Sequence, residues 1–276
     1  MGVPIARRLL SKGWRLTVWD RDPARFELLE KAGAKWAPEP GKVRAAADVV
    51  LICVLGDDVA VDSICFGVGG LSATKGAHIV IDLSTTGMEL TLRAAEELDV
   101  AWLDSPMSGS PESAEKGELT LMVGGTQELF DWVRPILETI STNITLMGPL
   151  GAGQTTMMIH QAIIGTNYVL MAEILAQVRA AGIDVDKMVQ SLRGGLGDSQ
   201  MLQHILPKMA KKAFVPPEVK TSQTLEDMQV IRVFNETNGL TLPVQEIAID
   251  QFRHFAEQGD ADLDSAAIAT VYEPDI

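Results

Sequence analysis

The segment 151–167, GAGQTTMMIHQAIIGTN, places chemically distinct side chains at the start of a long helical pattern. Its glycines indicate a turn, and the helix that follows carries Gln154, Met157, His160 and Gln161. An imidazole titrates near neutral pH and can transfer a proton, whereas a thioether neither donates nor accepts one there. The segment therefore fits an active site, a remodelled active site or a core helix, and the rest of the chain supplies the context.

A second candidate site lies near the amino-terminal end. The strand pattern WRLTVWD ends in Asp20, and Gly2 opens a helical pattern before it. In dinucleotide-binding units an acid about 20 residues after the glycine turn binds the ribose hydroxyls, while the helix amino terminus faces the pyrophosphate. The alternative is that Asp20 is only an exposed acid at the end of a strand. We favour nucleotide binding because strand–helix units surround these residues.

The glycine fingerprint of such a unit is incomplete here. A G-x-G-x-x-G motif needs two glycines before Gly2 and a strand before those, and the chain contains neither. The sequence therefore predicts that the first strand, which is normally central, is absent together with part of the phosphate cradle. A start site assigned too far downstream, a truncated chain, or a protein that no longer binds its cofactor tightly would each explain this.

Two periodicities divide the chain near residue 150. Strand and helix patterns alternate through residues 1–150, which predicts a Rossmann-like, doubly wound parallel sheet. From Gly151 onward the patterns are helical, beginning with a long interdomain helix that starts near residue 152. The sequence thus predicts two domains, a dinucleotide-binding domain over 1–150 and an all-helical domain over 151–276.

Composition excludes several classes of function. The chain has 276 residues, of which 46% are hydrophobic, and 23 basic against 37 acidic residues give a net charge of −14. This charge argues against nucleic acid or an anionic membrane as the main partner, and no apolar run is long enough to span a membrane. The two cysteines, Cys53 and Cys65, form no disulfide framework, and the histidines have no metal-ligand spacing. We expect a cytoplasmic protein without a bound metal.

Several segments resemble motifs of the β-hydroxyacid dehydrogenases, the family related to 3-hydroxyisobutyrate dehydrogenase, which also includes imine reductase-like members. They are MG at 1–2, ICVLGDDVAV at 52–61, IDLST at 81–85, DSPMSGSPESAEKGELTLMVGG at 104–125, GAGQTTMMIHQ at 151–161 and GDADLDSAA at 259–267. The resemblance covers essentially the whole chain, and its longest and most specific part is 104–125.

This resemblance implies a reaction and a set of roles. Such enzymes move a hydride between a β-hydroxyacid and nicotinamide, a lysine on the long helix handles the proton, and a Ser-Gly-Gly turn binds the substrate carboxylate with help from an asparagine. Carried over by position, the turn becomes Ser108, Gly109 and Ser110, the lysine becomes Met157, and the paired asparagines become His160 and Gln161. The usual acid–base group is therefore absent.

The resemblance also implies cofactor contacts and an oligomer. The candidate contacts are Gly2, Asp20, Arg21, Leu55, Gly56, Thr85 and Glu226, the last at the position of a second family lysine. Asp20 would repel a 2′-phosphate and favour NAD over NADP, although Arg21 offers a partner for that phosphate. The family is dimeric, so we expect a homodimer in which the long helix packs against the helical domain of the partner.

Each site residue also has a purely structural interpretation. Met157 can be core packing, and His160 can be a structural histidine, although its place three residues after the lysine position puts it on nearly the same helix face. Thr85 and Leu55 can be ordinary strand-end packing. Two hypotheses follow: an NAD(P)-dependent oxidoreductase with a changed proton donor, acting on an alcohol, ketone or imine, or a catalytically weak relative that serves as a binding or scaffold protein.

Overall fold

In the computed structural model, which describes residues 1–54 and 58–272, strands and helices alternate through the first half of the chain. The strands are β1 (Thr17–Val18), β2 (Lys35–Trp36), β3 (Val49–Ile52), β4 (Ile79–Asp82), β5 (Ala101–Asp104), β6 (Met107–Ser108), β7 (Leu119–Gly124) and β8 (Ser141–Gly148). The helices among them are α1 (Gly2–Ser11), α2 (Glu27–Glu30), α3 (Pro40–Ala46), α4 (Asp58–Phe66), α5 (Met88–Glu97), α6 (Pro111–Lys116) and α7 (Gln127–Ile140).

The main sheet confirms the predicted doubly wound architecture, with one difference in strand direction. Strands β3, β4 and β5 pair in parallel, as do β7 and β8, but β7 runs antiparallel to β5 and β6. Only residues 109–118 separate β6 from β7, which is too short for the crossover that a parallel connection needs. The sheet is therefore mixed. Strands β1 and β2 pair with each other in a separate two-stranded sheet.

Helix boundaries in this part of the chain follow local signals. Asp22 accepts a hydrogen bond from the amide of Ala24, and Pro23 begins a short 3-10 helix that leads into α2. Gly33, with a φ of 94°, follows α2 in the left-handed conformation that glycine adopts easily. The Thr126 hydroxyl accepts a hydrogen bond from the amide of Leu129 and caps α7. These residues set where the helices begin and end.

Two hydrophobic clusters cover the two faces of the main sheet, as a doubly wound fold requires. One contains Ile81, Leu103 and Leu121 of the strands together with Leu137 of α7. The other contains Val80 and Trp102 of the strands with Ala94 of α5. Neighbouring residues of one strand, such as Val80 and Ile81, thus enter opposite cores. The loops at the carboxyl ends of β4 and β5 are held by this rigid base.

Beyond β8 the described chain is helical apart from an isolated bridge between Lys220 and Asp264. The helices are α8 (Ala152–Ala180), α9 (Val185–Leu192), α10 (Gln200–Ala210), α11 (Thr221–Thr237) and α12 (Pro243–Phe255), followed by a 3-10 segment at Ser265–Tyr272. The chain divides into two compact units, Met1–Met157 and Met158–Ile276. The division falls inside α8, after its second turn.

The second unit has its own core and its own buried ion pair. Residues of α8, α10 and α12 form the core, among them Leu175, Leu206 and Phe252. The ammonium of Lys208 lies 2.8 Å from Oδ2 of Asp264, and both side chains are buried. Paired burial of this kind fixes the start of the 3-10 segment on the helices. Within the described ranges, no helix combines the length and the apolar character needed to cross a membrane.

Candidate functional site

Two buried carboxyl groups lie side by side where β4 and β5 end. Asp82 and Asp104 are partners in the register of these strands, and neither side chain is exposed to solvent. Ligands of doubly wound sheets bind outside the carboxyl ends of the parallel strands. The two acids therefore organise the edge of the sheet at which a ligand is expected.

Asp104 holds the first turn of α8. Its Oδ1 accepts the amide proton of Gly151 and its Oδ2 that of Gln154, each at 2.7 Å. Burial raises the pKa of Asp104, and the hydrogen bonds from Gly151 and Gln154 act in the opposite direction. A carboxylate at a helix amino terminus pairs amides that would otherwise have no partner. The start of α8 is thus anchored to the end of β5.

Gln154 connects the same turn to the loop after β4. Its Oε1 accepts the amide proton of Thr86 at 3.1 Å, and its Nε2 donates to the carbonyl oxygen of Ser84 at 2.8 Å. The side chain is only 4% exposed. Thr85, the predicted cofactor contact, is half-buried and lies between these two anchored residues.

Asp82 fixes the loop from its other side. It accepts the amide proton of Ser84 at 2.9 Å and the hydroxyl proton of Thr86 at 3.2 Å. Burial raises the pKa of Asp82 to about 7, against the lowering effect of the hydrogen bonds from Ser84 and Thr86. The Ser84 hydroxyl in turn accepts the amide proton of Val54 at 3.1 Å. The predicted contacts Leu55 and Gly56, which follow Val54, lie outside the described residues.

The turn predicted to bind substrate follows β6. Ser108 ends the strand, pairs with Thr120 of β7 and is half-buried. Gly109 has a φ of 142°, and a Cβ there would lie 2.8 Å from Cδ2 of Leu119, so a side chain does not fit. The Ser110 hydroxyl accepts the amide proton of Ser113 at 3.2 Å and caps α6. Ser110 therefore has a structural task, and its role toward substrate stays a prediction.

The residues predicted to hold a dinucleotide are chemically suited to it. Helix α1 begins at Gly2 with no acidic residue in its first turn and no side-chain cap, which suits an anionic ligand. Asp20 is half-buried, and its Oδ1 accepts the amide proton of Asp22 at 2.9 Å. Its Oδ2 has no hydrogen bond within the described ranges, and the neighbouring Arg21 is exposed. A carboxylate and a cation are thus consecutive in the sequence shortly after β1.

The remaining predicted residues fall in two parts of the chain. Met157 belongs to the first unit and is 2% exposed. His160, Gln161 and Glu226 belong to the second unit. His160 is half-buried, and burial lowers the pKa of its imidazole. Glu226 is exposed on α11 beside Asp227, whose pKa is raised to about 6, mainly by burial and also by Glu226.

Sequence reasoning missed the residues that organise the loop after β4. Asp82, Ser84, Thr86 and Asp104 were not singled out, although each acid ends an apolar run, VID or WLD. An acid that terminates a fully buried strand is the signal that identifies such a group. Among the described residues, no cluster of three or more His, Cys, Asp or Glu side chains is arranged to hold a metal ion.

Comparison with known proteins identifies relatives along the whole chain. Residues 1–148 match the profile of the NAD binding domain of 6-phosphogluconate dehydrogenase. Residues 151–272 match the profile described as NAD-binding of NADP-dependent 3-hydroxyisobutyrate dehydrogenase. A 2-hydroxy-3-oxopropionate reductase of Escherichia coli is 31% identical over 99% of this chain and 94% of its own length.

Solved structures have the same fold. A 3-hydroxyisobutyrate dehydrogenase from Salmonella typhimurium superimposes with a TM-score of 0.85 at 23% identity, over 98% of this chain and 95% of the other. An imine reductase from Myxococcus stipitatus, in complex with NADP+, superimposes with a TM-score of 0.61 at 20% identity, over 99% and 96% of the two chains. The architecture is therefore shared with a dehydrogenase and with an imine reductase.

Proposed function

The chain belongs to the family of NAD(P)-dependent oxidoreductases related to 3-hydroxyisobutyrate dehydrogenase, and we propose that it transfers a hydride between nicotinamide and an alcohol, carbonyl or imine substrate at a modified active site. When bound, the nicotinamide accepts or donates the hydride. The chain itself must bind the cofactor, orient the substrate and move one proton. The residues available for these tasks differ from those of the family at the proton-transfer position.

All of the proposed cofactor contacts except Glu226 are assigned to the first unit. The amino terminus of α1, from Gly2, faces the pyrophosphate, Asp20 binds the ribose hydroxyls, and Thr85 lies beside the nicotinamide. Arg21, Leu55, Gly56 and Glu226 are the further contacts that the family resemblance implies. We propose NAD rather than NADP as the preferred cofactor, because the Asp20 carboxylate would repel a 2′-phosphate.

Proton transfer is assigned to His160. Its lowered pKa leaves the imidazole neutral at neutral pH, so it is ready to accept the hydroxyl proton during alcohol oxidation. Ser108, Gly109, Ser110 and Gln161 orient the polar end of the substrate. Met157 contributes an apolar wall, which favours a substrate less anionic than a small hydroxy acid. A competing account is that water or the substrate supplies the proton and His160 only orients it.

One observation supports this proposal most strongly. Four buried hydrogen bonds of 2.7–3.1 Å hold the start of α8: two join it to Asp104 at the end of β5, and two join the Gln154 side chain to the loop that carries Thr85. Catalysis by positioning requires groups that are held in place before substrate binds. These hydrogen bonds hold the loop before any ligand binds, and this supports the proposal of an active enzyme with Met157 at the lysine position.

The second candidate function is a catalytically weak binding or scaffold protein. The observation that favours it is the buried thioether of Met157 at the lysine position, which cannot transfer a proton. Turnover separates the two candidates. Purified protein is mixed with NADH or NADPH and a panel of aldehydes, ketones and imines, and in parallel with NAD+ or NADP+ and a panel of hydroxy acids, and cofactor absorbance is followed. A change in cofactor absorbance that depends on substrate supports an active enzyme, whereas cofactor binding without turnover of any compound supports a binding or scaffold protein.

Replacement of Met157 tests why the lysine was lost. If the natural protein is a family member that gave up the hydroxy-acid reaction, Met157→Lys creates activity on 3-hydroxyisobutyrate where wild type has none. Met157→Leu is the matched control, because it keeps the site apolar and similar in volume. If both variants bind cofactor and neither oxidises 3-hydroxyisobutyrate, the hypothesis that the protein lost this reaction through the Met157 replacement is contradicted.

The NAD preference has its own test at Asp20. We expect wild type to bind NADH more tightly than NADPH. Asp20→Ser is expected to lower the affinity for NADH and to raise that for NADPH, because the repulsion of the 2′-phosphate is removed. Isothermal titration calorimetry of both cofactors measures the two affinities. Tighter binding of NADPH by wild type would overturn the assignment of Asp20.

A further inference from the structure

The side chain of Gln154 has no part in the reaction described above, yet it is almost completely buried. Its amide connects the peptide groups on both sides of Thr85, accepting from the Thr86 N–H and donating to the Ser84 carbonyl. A primary amide presents a donor and an acceptor at the same end. It therefore matches the two backbone groups that the loop presents.

The other end of Gln154 is fixed as well. Its backbone N–H donates to Asp104, and the adjacent Gly153 has no room for a side chain, because a Cβ would overlap the Met122 carbonyl oxygen and lie 2.7 Å from Oδ2 of Asp104. Gln154 thus joins two rigid elements without slack. Loss of its amide would leave the Thr86 N–H and one lone pair of the Ser84 carbonyl buried without partners, which costs more than the hydrogen bonds themselves are worth.

We infer that Gln154 is a positioning residue, which sets the orientation of the peptide groups around Thr85 and thereby the affinity for the nicotinamide end of the cofactor. This inference rests on the proposed function, because it assigns Thr85 to the cofactor site. The loop cannot relax far without breaking its contacts to Asp82, since the Ser84 and Thr86 groups bound by Asp82 belong to the same two residues. Gln154 binds the Thr86 N–H and the Ser84 carbonyl, whereas Asp82 binds the Ser84 N–H and the Thr86 hydroxyl.

The substitution Gln154→Glu tests the role through pH. The variant keeps the shape and the acceptor for Thr86, but its second oxygen donates to the Ser84 carbonyl only when the carboxyl is protonated. Burial raises the pKa of such a group, in known cases to about 8–9. We expect wild-type NADH affinity in acidic buffer and an affinity about tenfold weaker in alkaline buffer, where ionised Glu faces the carbonyl.

Two further variants make the result specific. Gln127→Glu adds the same charge at an exposed position of α7, and its NADH affinity follows that of wild type at each pH. Gln154→Met keeps the length without the polar groups, and its affinity is weak at every pH. If Gln154→Glu does not stay folded in alkaline buffer, Gln154→Met at neutral pH decides the question. Wild-type affinity in Gln154→Met, or a flat pH profile in folded Gln154→Glu, overturns the inference.

Amide hydrogen exchange separates this inference from the proposed function. Exchange at Thr86 needs no cofactor, and we expect it to accelerate in Gln154→Met and, relative to wild type at the same pH, in alkaline Gln154→Glu. If wild type binds neither NADH nor NADPH, the proposed function fails while the exchange result still tests the positioning. Unchanged exchange at Thr86 in both variants overturns the positioning role even if cofactor binds.

Discussion

Burial lowers the pKa of the half-buried His160 imidazole, which makes it a weaker base but keeps it in the neutral form that can accept a proton. General acid–base groups contribute about 10²–10⁴-fold in rate. We therefore expect His160→Ala to lower kcat by this factor on whichever substrate is turned over. Met157→Ala, by contrast, is expected to change mainly KM, because in the proposed function the thioether forms an apolar wall and transfers no proton.

The matched control for this prediction is His254→Ala, which removes an exposed imidazole of α12 that contacts Gln258. Steady-state rates of alcohol oxidation with saturating NAD+ give kcat for each variant, in the direction in which His160 accepts the proton. A His160→Ala enzyme with full kcat would rule out proton transfer by His160 and leave water as the acceptor.

The glycine turn at the start of α8 shows how an element depends on the absence of a side chain. A Cβ on Gly153 meets the Met122 carbonyl oxygen and the Asp104 carboxylate, both of which belong to the sheet. Overpacking against backbone typically costs about 1–3 kcal/mol. We expect Gly153→Ala to lower the free energy of unfolding by that amount and to weaken cofactor binding.

Gly197→Ala is the comparison for Gly153→Ala, because a Cβ at Gly197 meets no atom within 4 Å. Urea denaturation of both variants gives the difference in the free energy of unfolding. Equal stability of the two proteins would mean that α8 can shift away from β7 without cost, contrary to the packing of Gly153.

The elements themselves were predictable to different degrees from the sequence. Strand β4 is a continuous apolar run, and α7 has a capping Thr126 and a periodic apolar face, so local pattern is sufficient to predict both. Strand β8 was not predicted, because Ser141, Thr142 and Asn143 open it and its residues are mostly exposed or half-buried. Its strand conformation comes from pairing with β7, which no local pattern reveals.

In the candidate site, only residues whose type or sequence motif indicates a chemical role could be predicted from the sequence. His160 and Ser108 were found by type and motif. The hydrogen bonds of Asp104 reach across 47 and 50 positions to Gly151 and Gln154, and such a distance in sequence carries no periodic signal. The hydrogen bonds between Asp104 and the start of α8 therefore become evident only from the three-dimensional structure.

For the whole molecule, Asp82 predicts how stability depends on pH. Its pKa is about 7 in the folded protein against 3.8 ordinarily, so the folded state keeps a proton that the unfolded state releases over that window. The contribution of Asp82 is therefore fully present below about pH 3.8 and is lost as the pH rises through about 7. His160 acts in the opposite sense, because its lowered pKa removes stability as the pH falls.

Asp82→Asn isolates this contribution, since the amide keeps an acceptor for the Ser84 N–H and resembles the protonated acid. We expect its free energy of unfolding to fall less with rising pH than that of wild type, and to exceed it in alkaline buffer. Urea denaturation at a series of pH values measures both slopes, with Glu128→Gln on the surface of α7 as the control. A variant with the wild-type slope would show that Asp82 is ionised throughout.

The assembly expected from the family places a second copy on α8. Ile159 and Ile163 are 51% and 57% exposed, and Leu170 extends the same apolar face. We propose that a partner protomer covers these side chains in a homodimer. Light scattering of wild type is expected to give a dimer, and Ile163→Asp a monomer, whereas Val68→Asp, on a loop of the first unit, remains dimeric. A wild-type monomer at micromolar concentration would contradict the proposal.

The crowding around Asp104 restricts how this protein can change under selection. Gly124 and Gly153 have no room for a side chain. A Cβ at Gly124 would overlap the Asp104 carboxylate, and a Cβ at Gly153 would overlap the Met122 carbonyl oxygen. Positions 157 and 160 lie farther along the same helix and are not bound by that restriction. If these positions belong to the active site as proposed, mutation can exchange their side chains while the packing around Asp104 is preserved, so laboratory evolution of new chemistry is best directed to Met157, His160 and Gln161.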